Sequence, residues 1–274
     1  MARVKLRFLG VRGSTPVAGP EFARVGGHTS CIAMSIDDAL PSLVLDAGTG
    51  LQSLTPVFGP RPFNGAILLT HLHWDHTQGL PFFPPADRDD ARVTLVQPAQ
   101  GDPFKVLSVV MSPPYFPIGP DGLRGAWTHV ALEPGTMQHD RFEVLAREIP
   151  HKGGRTYGYR VESAGRSVAY LPDHCPTKLG PGPEGLGEYH PAARELADGV
   201  DVLVHGAPFV ASELERASAF GHATAEYAAG LAKAAGVDRL VLTHHGPTRS
   251  DDDVDAIARR VGAEAALEGV ELFV

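Results

Sequence analysis

The chain has 274 residues, of which 43% are hydrophobic and 20% are charged, and its formal net charge at neutral pH is −8. This composition is typical of a globular protein with a substantial core, and the acidic balance disfavours an extended nucleic-acid footprint, which usually needs a basic surface. No apolar run approaches the roughly 18–20 residues of a membrane span. The segment Met1–Leu6 lacks the apolar core of a signal peptide, and two cysteines are too few for a disulfide framework. These features predict a cytoplasmic protein without a membrane partner.

Short apolar runs separated by turn-forming residues predict a series of strands. Val4, Leu6 and Phe8 alternate with charged residues in the first of them. Further strands are predicted at 31–34, 43–46, 66–70, 93–96 and 142–145, and a hairpin is predicted over 157–166.

Helices are predicted in the second half of the chain. One has its apolar face on residues 228–235 and ends at Gly236, and another runs through 254–258. The interval Pro98–Pro134 is rich in proline and glycine, so it is predicted to be a semi-rigid surface segment without regular strand ladders.

Metal-type side chains follow the apolar run at 66–70. His71, His73, Asp75 and His76 occupy four of six consecutive positions. Imidazole nitrogens and carboxylate oxygens are ligands for Zn²⁺, and Mn²⁺ and Fe²⁺ also accept such mixed sites. Alternation points the first two histidines in one direction, whereas the last two residues lie beyond the strand end, which suits two neighbouring metal ions better than one. A solvated polar loop is the alternative, but such loops favour Gly, Ser, Asn and Asp.

The HxHxDH spacing resembles the metallo-β-lactamase superfamily of binuclear metallohydrolases. This resemblance implies the α/β class, with an αββα four-layer sandwich that spans residues 1–274 as one domain. It also implies further ligands, and His151, Asp173 and His244 occur in the family's order, each at or just after a short apolar run. His245 is equivalent to its neighbour by chemistry alone, but the family places the ligand directly after the Leu-Thr pair, which selects His244.

The expected ligands divide into two sets. The sets share Asp173 as a bridge and are His71, His73 and His151 for one metal ion, and Asp75, His76 and His244 for the other. Zn²⁺ is the expected ion, with Mn²⁺ or Fe²⁺ as alternatives. The two ions would activate a bridging water as the attacking hydroxide, and Asp75 would additionally orient it as a catalytic residue.

A second motif, Gly221-His222-Ala223-Thr224, precedes the first predicted helix. It resembles the Gly-His-Ser-Thr segment of ribonuclease Z and its phosphodiesterase relatives, with Ala223 in place of the usual Ser. In that group the histidine is not a ligand but approaches the phosphate and assists the leaving oxygen, which implies a catalytic role for His222. A solvent-facing histidine at a helix N-terminus is the alternative.

The interval between His151 and Asp173 is too short for the tRNA-gripping arm of ribonuclease Z. The chain is therefore more similar to arm-less members of the family that act on small molecules, including a cyclic phosphodiesterase. We expect a metal-dependent hydrolase of a small or cyclic anionic phosphodiester. The alternatives are lactone, thioester or sulfate-ester hydrolysis on the same scaffold, a ribonuclease Z-like endonuclease that processes tRNA 3′ ends, and a non-enzymatic metal- or nucleic-acid-binding module.

Three residues are candidates for substrate contacts. Arg12 could bind a substrate phosphate through its bidentate guanidinium or form a surface salt bridge. Tyr115 and Phe116 could form one wall of a substrate pocket or anchor their loop to the core. A homodimer is compatible with the sequence, which does not identify the substrate.

Several other polar residues are expected to have supporting roles. Asp46, in an Asp-Ala-Gly-Thr-Gly turn, is predicted to support the HxHxDH loop from below. His174 and Cys175 are predicted to be loop or supporting residues, and His205 is predicted either to contact a metal ligand or to be a satisfied buried histidine. His28 lies where the arm-less bacterial relatives more often have Asn.

Overall fold

A computed structural model describes residues 3–274. Strands form where apolar and polar residues alternate in the sequence and where it has short apolar runs. Met1 and Ala2, part of the segment in which no signal peptide is predicted, lie outside the described residues. The strands are β1 (Val4–Gly10), β2 (Cys31–Ile36), β3 (Leu43–Leu45), β4 (Asn64–Leu68), β5 (Arg92–Pro98), β6 (Ala126–Leu132), β7 (Gly135–His139), β8 (Phe142–Glu148), β9 (Tyr157–Ser163), β10 (Arg166–Leu171), β11 (Val202–Gly206), β12 (Arg239–Thr243), β13 (Glu264–Ala265) and β14 (Glu271–Phe273).

The α-helices are short, and their apolar faces pack on the sheets. They are α1 (Thr55–Phe58), α2 (Trp74–Thr77), α3 (Pro103–Ser108), α4 (Pro191–Ala197), α5 (Leu214–Phe220), α6 (Ala225–Ala234) and α7 (Asp251–Val261). None of the helices within residues 3–274 combines the length and the hydropathy that crossing a bilayer requires.

The strands form two sheets of seven strands each. The first has the order β14-β1-β2-β3-β4-β5-β6, and the second has the order β13-β12-β11-β10-β9-β8-β7. In the first sheet β3 to β6 are parallel, and in the second β10 to β13 are parallel. Because parallel strands end at a common edge, residues that follow them can converge there.

Alternation divides the apolar side chains into an inner and two outer layers. Leu6 and Phe8 of β1 pack between the two sheets with inward residues of the second sheet such as Val204. Outward residues of the first sheet pack against a cluster that includes Phe58 of α1, and Leu231 of α6 belongs to the cluster outside the second sheet. The predicted αββα sandwich is therefore confirmed. That residues 1–274 form one domain stays a prediction.

The predicted strands, the hairpin and both predicted helices are present, and several elements extend beyond the predicted ranges. The helix boundaries follow from capping side chains: Thr224 accepts a hydrogen bond from the Tyr227 amide at the start of α6, and Ser250 accepts one from the Asp253 amide at the start of α7.

The prediction for the interval Pro98–Pro134 is wrong in part. This interval contains α3 and β6, and β6 pairs in parallel with β5 from Ala126 to Leu132. Four prolines of the interval lie in the connection at 113–120, outside β6, so they do not interrupt its hydrogen bonds. Val130 and Leu132 of β6 pack against the core between the sheets.

Candidate metal centre

The predicted ligands follow the carboxyl ends of strands that point toward one edge of the molecule. His71 follows β4, His151 follows β8, Asp173 follows β10 and His244 follows β12. In the second sheet β8 and β10 run in the same direction because both are antiparallel to β9, and β12 is parallel to them through β11. The fold thus brings residues that are distant in sequence to the same edge.

The first predicted ligand set lies close together. His73 precedes the single turn of α2, and its Nδ1 is 2.9 Å from Nε2 of His71 and 3.4 Å from Nε2 of His151. The nitrogens of these three residues lie within 4.8 Å of one another, so they could hold one metal ion.

The second predicted set lies beside the first. Oδ2 of Asp75 is 3.2 Å from Nε2 of His244 and 3.4 Å from Nε2 of His76. Oδ2 of Asp173 is 2.7 Å from Nε2 of His76, 3.3 Å from Nε2 of His244 and 3.6 Å from Nε2 of His71. Asp173 therefore contacts histidines of both sets. The seven residues are called the strand-end cluster below.

Several buried polar atoms of the cluster point at its other members without forming a hydrogen bond. Among the residues that the structure describes, Nε2 of His76 and both carboxylate oxygens of Asp173 are buried and have no hydrogen-bond partner. Leaving buried polar atoms unpaired is costly. Converging imidazole nitrogens and carboxylate oxygens are also the donor set of a divalent transition metal. The residues present therefore fit a divalent metal ion.

Residues below the cluster orient its histidines. Asp46 accepts hydrogen bonds from the Thr70 amide (2.7 Å) and from the Tyr170 hydroxyl (2.9 Å), and its Oδ2 is 2.8 Å from Nδ1 of His76. Because Nδ1 of His76 is engaged there, its Nε2 faces the cluster. Nδ1 of His151 is likewise 2.6 Å from the Gly221 carbonyl oxygen. The predicted supporting role of Asp46 is confirmed.

The protonation states of the cluster follow from its charges. Burial would raise the pKa of Asp173, but His244, His151 and His76 outweigh that effect and hold its pKa well below the usual range. Burial lowers the pKa of His151 to about 4, although Asp173 acts in the opposite direction. Burial would also lower the pKa of His76, but Asp46, Asp75 and Asp173 raise it. A metal ion binds the neutral imidazole, so it would compete with a proton at His76.

His222 lies at the cluster. It follows Gly221, which ends α5 in the left-handed conformation with φ of 86°. Nδ1 of His222 is 2.9 Å from Oδ1 of Asp173, and its ring centroid is 5.3 Å from that of His151 and 5.2 Å from that of His244. The residue is only 9% exposed, so the alternative of a solvent-facing histidine is wrong. His222 also belongs to a group with His151 and Asp173 that could itself hold a metal ion.

His244 and His245 point to opposite sides. His244 has a positive φ of 54° and lies in the cluster, whereas Nε2 of His245 is 3.2 Å from the Ala266 carbonyl oxygen. A Cβ atom at Gly13 would lie 2.1 Å from Nδ1 of His244, so the loop must have glycine at that position. The geometry thus brings His244, and not His245, to the other predicted ligands.

The loop before β2 also contains a contact that sequence reasoning missed. The backbone amide of Ser14 donates to Oδ2 of Asp75 at 2.7 Å. Ser14 has φ of 66°, a conformation that few non-glycine residues adopt. The only signal in the sequence is the run of turn formers at 10–16, which predicts a loop but not its partner.

Arg12 is a correction to the prediction of a substrate contact. Its side chain is fully buried. Its Nε donates to the Gly26 carbonyl and its Nη1 to the Arg249 carbonyl, both at 2.7 Å, and its Nη2 is 3.5 Å from Asp251. Because the guanidinium is occupied by these groups, it binds neither a substrate phosphate nor a surface partner. It joins the loop after β1 to the start of α7.

Tyr115 and Phe116 line a cavity of about 660 Å³, together with Trp74 and Thr77 of α2. Of the described residues that line it, none belongs to the strand-end cluster. On the single turn of α2, Trp74 and Thr77 face this cavity, whereas Asp75 and His76 face the cluster. The cavity that Tyr115 and Phe116 line is therefore separated from the strand-end cluster by α2. Phe116 also packs against the outer core, which agrees with the alternative of a loop anchor.

His174 and His205 lie beneath the cluster and do not join it. Nδ1 of His174 is 3.4 Å from Nε2 of His205, and both side chains are buried. Burial lowers the pKa of His205 to about 4. Cys175 is also buried, with its Sγ 3.6 Å from the Thr177 hydroxyl. The contacts described for His205 are with His174 and the Gly206 carbonyl oxygen, which agrees with the alternative of a satisfied buried histidine, and the supporting roles of His174 and Cys175 stay predictions.

Comparisons with known proteins agree with this fold. The family model described as Beta-lactamase superfamily domain matches residues 42–245. Ribonuclease Z of Exiguobacterium sibiricum is 30% identical over 259 residues, which cover 79% of this chain and 83% of that protein. The metallo-beta-lactamase fold protein YhfI of Bacillus subtilis superposes with a TM-score of 0.73 at 19% identity over 100% of both chains. A diphosphatase from the PhnP family gives a TM-score of 0.73 at 19% identity over 100% of this chain and 98% of its own.

Proposed function

The chain belongs to the beta-lactamase superfamily and is a metal-dependent hydrolase, and from that premise we propose that it is a binuclear phosphodiesterase of a small or cyclic phosphodiester. The observation that carries this proposal is the position of Asp173. Its Oδ2 faces His71, His76 and His244, and its Oδ1 faces His222. One carboxylate thus connects both predicted ligand sets to the predicted proton donor.

In this proposal each metal ion has three ligands of its own and shares Asp173. The first set is His71, His73 and His151, and the second is Asp75, His76 and His244. Divalent ions held there would polarise the scissile bond and lower the pKa of water to about 7. Zn²⁺ is the proposed ion because the donors are imidazoles and carboxylates, with Mn²⁺ or Fe²⁺ as alternatives.

Residues outside the ligand sets fix the geometry of the site. The Ser14 amide holds Oδ2 of Asp75 at 2.7 Å, and Asp46 holds the ring of His76 through its Nδ1. Such contacts set the tautomer and the orientation of a ligand before the substrate arrives. Asp75, anchored in this way, is also positioned to orient the attacking water.

His222 is the proposed proton donor to the leaving oxygen. Nδ1 of His222 lies 2.9 Å from Oδ1 of Asp173, so this nitrogen faces the ligand sets and Nε2 is the atom that would deliver the proton. The competing possibility is that His222 is a ligand, because its Nδ1 is buried and lacks hydrogen-bond geometry toward any described residue. The metal content of a His222 variant separates these two roles.

The substrate is proposed to be small because of the segment between His151 and Asp173. That segment consists of a short loop and the hairpin of β9 and β10, and both strands pair within the second sheet. It leaves no chain to form a tRNA-gripping arm. The similarity to a diphosphatase over the whole of this chain also supports a small substrate, whereas the relative named ribonuclease Z supports the tRNA alternative.

The test is turnover of matched substrates by metal-replete protein. We expect small cyclic and nitrophenyl phosphodiesters to be hydrolysed far faster than phosphomonoesters, lactones, thioesters, sulfate esters or precursor tRNA. Protein with Asp173→Asn, purified in parallel, controls for contaminating hydrolases. Correct trimming of tRNA 3′ ends without activity on small diesters would establish the endonuclease alternative. Rapid lactone, thioester or sulfate-ester hydrolysis without diester hydrolysis would establish the other one.

A further inference from the structure

Two phenylalanine rings and an arginine lie next to His222. Phe209 follows β11, and its ring centroid is 6.0 Å from that of His222. The ring of Phe220, the last residue of α5, is 6.4 Å from that of Phe209, and the two planes differ by only 14°. Cζ of Arg216 lies 5.7 Å from the Phe209 centroid and 5.8 Å from the Phe220 centroid. These three residues are called the aromatic surface below.

Parts of the aromatic surface are free to contact a ligand. Arg216 is exposed, and among residues 3–274 no carboxylate lies within ion-pair distance of its guanidinium. The nearby Arg249, in contrast, is paired with Glu213. Phe220 is 59% exposed at the end of its helix. A cation–π contact accounts for the position of Arg216 over the rings, but it leaves the donors of the guanidinium and the outer side of Phe220 free.

We propose that the aromatic surface binds a planar aromatic ring in the leaving group of the substrate, such as the base of a nucleoside. This inference rests on the proposed function. In the proposed function His222 delivers a proton to the leaving oxygen, and the ring of Phe209, 6.0 Å from that of His222, is close enough to contact the group beyond that oxygen. Aromatic rings and arginine guanidinium planes are the surfaces on which proteins stack nucleobases.

The first experiment compares two diesters that differ in one ring. Benzyl methyl phosphate and cyclohexylmethyl methyl phosphate have leaving groups of similar size, but only the first is flat. We expect the wild-type metal-loaded protein to prefer release of benzyl alcohol, in kcat/KM, by about 5- to 150-fold, the range that stacking of one base provides. Phe209→Leu should bring the ratio close to one, and Phe209→Tyr should retain it.

The chain offers a matched control. Arg3 lies over the ring of Phe273, 5.2 Å from its centroid, on an exposed part of the first sheet. Phe273→Leu therefore removes a comparable arginine–phenylalanine contact away from His222 and should leave the substrate ratio unchanged. Phe220→Leu, at an exposed position, repeats the test if Phe209→Leu lowers the yield of folded protein. Arg216→Lys should reduce the preference, because it keeps the charge and loses the plane. Full retention by this variant would overturn stacking on the guanidinium.

A binding measurement separates failure of this inference from failure of the proposed function. Monomethyl 2-phenylethylphosphonate and monomethyl 2-cyclohexylethylphosphonate carry a CH2 group in place of the leaving oxygen, so calorimetry can compare their affinities without cleavage of that bond. Tighter binding of the phenyl compound that Phe209→Leu abolishes supports the aromatic surface even if no phosphodiester is hydrolysed. Equal affinities for the two compounds would overturn it. Diester hydrolysis with equal kcat/KM for the two substrates would also overturn it, while leaving the phosphodiesterase proposal in place.

Discussion

Two groups of histidines lie at the same edge of the second sheet but differ in their charged neighbours. In the strand-end cluster, His76 and His244 each lie within 3.5 Å of two carboxylate oxygens, those of Asp75 and Asp173. Asp173 and Asp75 outweigh the effect of burial and raise the pKa of His244, and Asp46, Asp75 and Asp173 together raise that of His76. The cluster thus combines carboxylate oxygens and imidazole nitrogens that face one another.

The second group consists of His174, His205 and His245, and it contains no carboxylate at ion-pair distance among the residues described. Burial lowers the pKa of His205 to about 4 and that of His245 to about 3. Each ring therefore stays neutral and serves as a hydrogen-bonding group within the fold. The two groups differ in the carboxylates of Asp75 and Asp173 and not in every histidine, since burial lowers the pKa of His151 in the cluster to about 4, as it does for His205.

The change expected to have the largest effect is Asp173→Asn, which keeps the side-chain shape and removes the shared charge. Both metal positions lose a ligand, so elemental analysis should find well under two equivalents of metal per chain. We expect kcat/KM for a small diester to fall by at least about 10⁴-fold, more than the roughly 10²–10⁴ that positioned acid–base help supplies. Full occupancy with two metals and normal turnover in this variant would contradict the bridging role.

The matched control for that change is Asp201→Asn. Asp201 is likewise an aspartate beside the second sheet, but it is only partly buried and accepts hydrogen bonds from the Ser167 amide (2.8 Å) and from Arg166 (2.7 Å) before the start of β11, at the opposite end from the cluster. The variant should keep its metal and its turnover. Metal loss here would mean that the assay reports general destabilisation rather than ligation.

His222→Ala is expected to have the next largest effect. If His222 assists the leaving oxygen, kcat for an alkyl diester should fall by roughly 10²–10⁴-fold while both metals stay bound. The loss should be smaller for a nitrophenyl diester, because an acidic leaving group needs little protonation. The measurements are kcat for both substrates and the metal content of the variant. A His222→Ala protein that has lost one metal would assign the residue to ligation.

The strand-end cluster could be predicted from the sequence because its information is local. Each predicted ligand follows an apolar run, and the family resemblance supplied their order and the choice of His244 over His245. The alternation in β1 and the caps of α6 and α7 are local in the same way. The parallel strands then bring these separate signals to one edge, so few tertiary details were needed.

Arg12 and the aromatic surface depend on long-range contacts instead. The Nη1 partner of Arg12 is the carbonyl of Arg249, 237 residues away in the sequence, and no local pattern indicates whether a guanidinium points inward. Phe220 lies two residues before His222 in the sequence, but no local pattern indicates that the ring of Phe209, which follows β11, packs beside the rings of Phe220 and His222. The strand β6 was missed because the prolines that precede it dominate the composition of its surroundings.

The adjacent residues His244 and His245 allow the two groups to be compared within one loop. His244→Ala should lose metal and rate. His245→Ala should keep both but leave the Ala266 carbonyl without its donor, which lowers the free energy of unfolding by about 1–3 kcal/mol. His245→Gln, which retains an N–H donor, should recover part of that loss. The measurements are urea unfolding of metal-free protein and elemental analysis, and metal loss in His245→Ala would remove the distinction between the groups.

The smallest expected effect concerns His28, which has a carboxylate partner but lies outside the cluster. Its Nδ1 contacts Glu268, and its Nε2 is 2.9 Å from Gln52. The hydrogen bond with Glu268 raises the pKa of His28. Burial would raise the pKa of Glu268, but the contacts with His28 lower it. Both ring nitrogens of His28 have protein partners, so His28 and Glu268 should bind no metal ion and should affect only the free energy of unfolding.

The direction of the pH dependence follows from these two shifts. The contribution of His28 to the free energy of unfolding is complete below its unfolded pKa of about 6.5 and is lost as the pH rises through its higher folded pKa. The contribution of Glu268 is complete above its unfolded pKa of about 4.3 and is lost as the pH falls through its lower folded pKa. His28→Asn should therefore reduce the free energy of unfolding most between about pH 4.3 and 6.5, by less than about 1 kcal/mol because the pair is partly exposed. Urea unfolding of metal-free protein at pH 5.5 and pH 9 measures the difference in free energy of unfolding between wild type and His28→Asn. When both proteins also carry Glu268→Gln, this difference should be small at both pH values. A difference that grows from pH 5.5 to pH 9 would show that His28 contributes to stability through packing and not through its charge.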